Sequence, residues 1–122
     1  MLLNDLFTID DLRPEDGAAR AVLLIDAGHP IFGGHFPGRP LLPGACQLQV
    51  VREVLSAVMG SECRLLKADQ IKFLTMIDPL RNHRVELALR YAEGEKGLLR
   101  VTASMSAGDA ICFKFSGTFQ AG

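Results

Sequence analysis

The chain has 122 residues, enough for one hydrophobic core and too few for two ordinary domains, so a single domain over residues 1–122 is expected. Apolar residues at 48% and charged residues at 22% exclude a chain disordered throughout, and a formal net charge of −1 with scattered Lys and Arg argues against a nucleic-acid partner. No apolar run approaches the ~20 residues of a membrane helix, and the start MLLNDLFTIDDL carries acids where a signal peptide carries Lys or Arg, so no membrane partner and a cytoplasmic location are expected.

The first predicted element is a strand from Ala18 to Asp26, AARAVLLID, rich in aliphatic residues and ended where Ala27-Gly28 allows a turn. Between His29 and Gly44 fall Pro30, Pro37, Pro40 and Pro43 with Gly33, Gly34, Gly38 and Gly44, a density that neither a regular helix nor a central strand tolerates. The segment must be a structured loop. Its apolar Ile31, Phe32, Phe36, Leu41 and Leu42 imply that it packs down on the protein rather than waving in solvent.

After Pro43-Gly44 the pattern turns helical. Leu48, Val51, Leu55 and Val58 recur at spacings of three and four, which predicts a helix from about Ala45 to Met59 that stops near Gly60. Four strands follow, Arg64 to Leu74, Arg84 to Tyr91, Leu98 to Ala107 and Ala110 to Phe119, separated by DPLRNH, AEGEKG and Gly108-Asp109. A lone apolar helix followed by antiparallel strands buries its surface best when the sheet wraps around it, giving an α+β roll with one long central helix. A helix-on-sheet sandwich would show the same elements.

Cys46, Cys63 and Cys112 are odd in number and widely spaced, fitting neither a disulfide framework nor a zinc site, and read as reduced core thiols. Cys46, next to the Pro-Gly pair, has a competing reading as a nucleophile, against which stands the general burial of free cysteine.

The run HPIFGGHFPGRPLLPGACQLQVVRE resembles the signature of the β-hydroxyacyl-acyl-carrier-protein dehydratases, H-F-P-G-x-P-[VI]-[ML]-P-G followed by a helix opening with an acid. His35, Phe36, Pro37, Gly38, Pro40, Pro43 and Gly44 match in order and spacing, with Leu41 and Leu42 as close substitutes, and QIKFLTMIDP is similar to a later strand motif of that family. The resemblance implies a hotdog fold, an antiparallel sheet wrapped around the helix. It also implies homodimers or larger homo-oligomers with active sites shared between subunits. The substrate would be an acyl thioester on acyl carrier protein or coenzyme A, the phosphopantetheine or CoA arm arriving with the substrate and no metal or other cofactor required.

Dehydration of a 3-hydroxyacyl thioester needs a base for the α-proton, donors for the developing enolate oxygen and an acid for the departing hydroxyl. His35 is the side chain of the loop able to act as base near neutral pH, the competing reading being a structural histidine in a Pro/Gly loop. His29 and His83 read as structural. Helix-start amides are unpaired and sit at the positive end of the helix dipole, so Gly44 and Ala45 can hold the thioester carbonyl, with Phe36 and Leu48 also placed against substrate.

The acid is where the chain departs from the family it resembles. That family carries Glu or Asp at the position of Gln49 and Gln at the position of Glu53; here the two are exchanged. An amide cannot deliver a proton as a carboxylic acid does. Positions i and i+4 share one helical face about 6 Å apart, so Glu53 is the candidate for a relocated acid and Gln49 for an orienting amide, the competing reading being an exposed or ion-paired Glu53. The exchange keeps two alternatives open, a hotdog thioesterase in which Glu53 activates water and a catalytically inactive acyl-thioester-binding or assembly subunit. An acyl tunnel lined by Leu48, Val51, Leu66, Phe73 and Met76 is expected, with Arg39, Lys72 and Arg81 available to an acidic carrier or phosphate.

Overall fold

The computed structural model describes residues 1–34 and 41–122. They form six strands, β1 (Phe7–Glu15), β2 (Ala18–Ile25), β3 (Cys63–Phe73), β4 (Arg84–Glu93), β5 (Leu98–Ala107) and β6 (Ala110–Ala121), a one-turn helix α1 (Ile31–Gly34) and a long helix α2 (Gly44–Met59). The strands make one antiparallel sheet in the order β1-β2-β4-β5-β6-β3. This is the expected α+β hotdog arrangement.

The inner face of the sheet is built by alternation: Ala21, Leu23 and Ile25 of β2, Val85, Leu87 and Leu89 of β4, Leu99, Val101, Ala103 and Met105 of β5 and Phe113, Phe115 and Phe119 of β6 are all buried. Against them α2 sets Val50, Val51, Val54 and Leu55, each fully buried. At roughly 1.5–3 kcal/mol for each such side chain, this stripe is the main reason the helix is stable where it lies. Gly60, at φ 71°, ends α2 in the left-handed conformation and returns its N–H to the Ser56 carbonyl at 2.9 Å.

Two elements depart from expectation. β1 was not predicted, because FTIDDLRPE breaks the two-residue alternation: its register slips between Ile9 and Asp11, and Pro14 sits near its end. The chain signal for it was the pair Asp16-Gly17, which closes a two-residue hairpin between Glu15 and Ala18. The loop before α2 also contains a helical turn, α1, whose Phe32 is buried.

β3 closes the sheet on one side only. Its partner is β6, and its other edge is unpaired among the described residues. Ile71 and Phe73 lie opposite Phe115 and Phe113, yet remain 39% and 56% exposed, with Leu66, Leu74 and Met76 exposed nearby.

Candidate active site

α2 begins without a side-chain cap. Pro43, extended at φ −61° and ψ 147°, offers only its carbonyl, which receives the N–H groups of Cys46 and Gln47 at 3.1 and 3.2 Å. The Gly44 and Ala45 amides find no acceptor among the described residues and sit at the positive end of a helix of 16 residues. Two hydrogen bonds hold the chain that leads into the helix: the Leu42 N–H donates to the Ile77 carbonyl at 2.8 Å, and the Gln47 side-chain amide donates to the Leu42 carbonyl at 3.1 Å.

Over this helix start lies a cleft of about 390 Å³, lined by Leu42, Gly44, Gln47, Phe73, Thr75 and Met76 among others. The Phe73 ring, tilted against Phe113 with centroids 5.3 Å apart, reaches across the helix: a Cβ placed on Gly44 would fall 2.6 Å from its Cζ. Glycine at 44 therefore lets the Phe73 ring lie close against the helix start, where a larger residue would push the ring aside. Phe73 and Met76 are where the sequence expected a tunnel wall. Val51 belongs to the core instead, and neither Leu48 nor Leu66 lines this cleft.

One helical turn joins Gln49 and Glu53, as the i, i+4 spacing predicts, with the Gln49 amide donating to Glu53 Oε2 at 2.8 Å. The carboxylate is not free, however. The Leu2 N–H donates to both its oxygens at 2.9 Å and the Leu3 N–H to Oε1 at 2.8 Å, and the residue is 4% exposed. Burial pushes the Glu53 carboxyl up, but the Leu2 and Leu3 amides and the Gln49 amide outweigh it and hold the group below its ordinary value, as a carboxylate. The Gln49 oxygen in turn accepts from Arg52 Nε at 3.3 Å.

Within one chain Glu53 does not reach the helix start. It lines a separate cavity with Leu3, Arg52 and Ser56, nine residues and so about 13 Å along the axis from Gly44. Among the described residues it is neither exposed nor ion-paired: its partners are backbone amides and Gln49.

His35, Phe36 and Arg39 lie outside the described residues. His29 is engaged locally, Nδ1 accepting from the Ile31 N–H at 3.0 Å and Nε2 lying 3.1 Å from Asp5 Oδ2. His83 is exposed. Cys46 is half-buried, and burial pushes its thiol up, away from the thiolate that a nucleophile needs; Cys63 and Cys112 are buried, free thiols. No group of three or more metal-binding side chains occurs among the described residues, and no helix among them is long and apolar enough to cross a membrane.

Gln47 escaped the sequence reading. The signal was a polar residue in register with the apolar stripe that continues through Val50, Val51, Val54 and Leu55.

Comparison with known proteins decides the family. The ApeI-like model, described as ApeI dehydratase, matches residues 11–114. The chain belongs to this family. Among curated relatives, the 3-hydroxyacyl-[acyl-carrier-protein] dehydratase FabZ of Natranaerobius thermophilus is 29% identical over 96 residues, covering 73% of this chain and 67% of the relative. The FabZ of Ruegeria is 25% identical over 117 residues, covering 96% and 68%.

Solved structures share the fold. The dehydratase heterocomplex ApeI:P from Xenorhabdus doucetiae superposes with a TM-score of 0.73 at 23% identity, over 92% of this chain and 96% of that one. A mutant thioesterase from Pseudomonas aeruginosa gives 0.62 at 14% identity, over 93% and 79%. The ApeI-like chain is thus a dehydratase-like hotdog protein of the acyl-thioester class.

Proposed function

We propose that this single-domain protein acts as a 3-hydroxyacyl-[acyl-carrier-protein] dehydratase-like lyase, taking 3-hydroxyacyl thioesters of acyl-chain synthesis delivered on acyl carrier protein or coenzyme A. One observation carries the reading: α2 starts without a side-chain cap beside an apolar cleft that Gly44 lines, at the end of the H-F-P-G-x-P-L-L-P-G run. The thioester carbonyl lies on those amides, which favour the negative charge it gains in the enolate-like transition state. His35 removes the α-proton and Phe36 flanks the substrate, while Leu48, which does not line the cleft, packs against the core. No cofactor is needed, since the phosphopantetheine or CoA arm belongs to the substrate.

The hydrogen bonding of Glu53 speaks against its service as a relocated acid. A buried carboxylate held ionised by three donors has no proton to give and little reason to take one. Glu53 then anchors residues 2 and 3 to α2, and Gln49 orients it.

A second chain completes the site. Two copies pair along the free edge of β3, covering Ile71, Phe73 and Met76 and bringing the cleft of each against the other subunit. The likeness to a two-chain dehydratase complex and the presence of Gln49 favour a variant of this reading, in which the acid comes from a non-identical partner and this chain alone binds thioester without turning it over.

The test is incubation of the purified protein with a 3-hydroxyacyl thioester. An enoyl product, lost in His35→Ala, supports the dehydratase; free thiol identifies a thioesterase. Binding without product identifies the assembly subunit, and absence of binding refutes the reading.

A further inference from the structure

Gln47 takes no part in the roles above, although it stands one turn inside the helix start. Its side chain is 4% exposed. Donation of Nε2 to the Leu42 carbonyl at 3.1 Å settles which way the amide faces, because the reversed amide would set two oxygens against each other. Oε1 is enclosed and meets no donor among the described residues. Buried acceptors are normally satisfied, and leaving one unpaired costs stability. Here the unpaired atom belongs to a residue that lines the same cleft as Gly44.

We infer that Gln47 recognises the 3-hydroxyl of the acyl chain, Oε1 accepting its hydrogen while the thioester carbonyl rests on the Gly44 and Ala45 amides. This rests on the acyl-thioester reading of the cleft and adds to it the group that distinguishes a hydroxylated chain from a saturated one. The spacing suits it. Gln47 lies three residues past Gly44, about 4.5 Å along the helix axis, and the hydroxyl-bearing carbon is two bonds beyond the carbonyl carbon.

The other N–H and O–H donors of such a substrate are on the pantetheine arm. That arm must run outward to its carrier past exposed Phe73 and Met76, whereas Gln47 is on the buried side. Phe73, more than half exposed, is the side chain that yields as the substrate enters. Gln47 accepts a hydrogen bond and moves no proton, so its effect is on selection and orientation of the hydroxyl, separate from the acid that expels it.

The experiment measures binding of three amide analogues of acyl-pantetheine of one chain length, 3-hydroxyacyl, 3-oxoacyl and unsubstituted, by calorimetry on the full chain. Wild-type protein should bind the hydroxylated analogue about tenfold or more tightly than the other two, the scale of one hydrogen bond to a buried acceptor. Gln47→Met, similar in length but lacking both the acceptor and the donor to Leu42, should erase that preference, so that all three analogues bind it with equal affinity. The 3-oxo comparison needs no substitution, so the answer stands even if the variant fails to fold. Equal affinity for all three in wild type, or a preference that survives in Gln47→Met, overturns the inference and leaves the thioester site intact. Binding of none overturns both.

Discussion

The Gln49 amide donates to the Glu53 carboxylate at 2.8 Å, and that carboxylate passes the contact on to the backbone of Leu2 and Leu3. A pair that in the sequence looks like displaced catalytic machinery is, in the fold, a tie between the central helix and the residues that lead into β1. The buried Leu6 and Phe7 follow immediately, so the tie holds the first strand's entry against the core.

Glu53→Gln should destabilise the protein by about 2 kcal/mol at neutral pH, because Leu2 and Leu3 then face an amide that offers one good acceptor where a carboxylate offered two. The sign with pH follows from the lowered carboxyl. Its contribution is present above the unfolded pKa of about 4.3 and is lost as pH falls through the lower folded value. Urea denaturation should therefore show a wild-type advantage at neutral pH that shrinks on acidification below about pH 4; a gap independent of pH would contradict it.

Gln49→Glu tests the exchange from the other side. Two carboxylates would then face each other where the amide now donates, and like charge raises the pKa of one of them. A raised folded pKa stabilises below the unfolded value and costs stability as pH rises, so the variant should lose ground to wild type on going from about pH 5 to pH 8. If the family geometry is intact it should also gain dehydration, read as enoyl product. Unchanged turnover with the expected loss of stability would mean that residue 49 of this chain does not face substrate.

Gly44→Ala brings a methyl group into the Phe73 ring. Because that ring is exposed and can swing aside, melting temperature should fall by only a few degrees, roughly 1 kcal/mol. Affinity for an acyl-pantetheine should drop about tenfold or more, since the methyl group occupies the space over the first amides. Adding Phe73→Leu should restore the stability and leave the affinity low; recovery of both would place the carbonyl elsewhere.

On the proposed pairing through β3, wild-type protein should run as a dimer at micromolar concentration and the Ile71→Lys, Leu66→Lys double variant as a monomer, measured by light scattering after gel filtration. Both residues are on the exposed edge strand, where a charge blocks strand pairing at little cost to the monomer's own core. A dimer that persists in the double variant would rule out pairing through β3.

Much of the fold was legible because its elements are written in short-range periodicity. The stripe through Val51 and Leu55 ended at Gly60, as the helix does, and the predicted strand Arg64 to Leu74 differs from Cys63–Phe73 by one residue at each end. β1 was not legible, since a bulge and a proline interrupt its alternation and its pairing with β2 supplies what the pattern lacks. Of the candidate site, Gly44 and Ala45 could be read from the rule that helix-start amides are unpaired. The engagement of Glu53 could not, because its partners are fifty and fifty-one residues away in the chain.

Sequence alone determined the class of element, the position of the long helix and the Pro-Gly run that introduces it, all of which follow from backbone restriction and apolar spacing among near neighbours. Tertiary structure decided which polar side chains are spent on holding the fold and which are left over. Glu53 is satisfied by amides brought from the far end of the chain, while Gln47, placed in a stripe of valines, keeps an acceptor that meets no donor among the described residues, beside the cleft. Hydrogen-bond satisfaction depends on what arrives from a distance, so no local pattern can encode it.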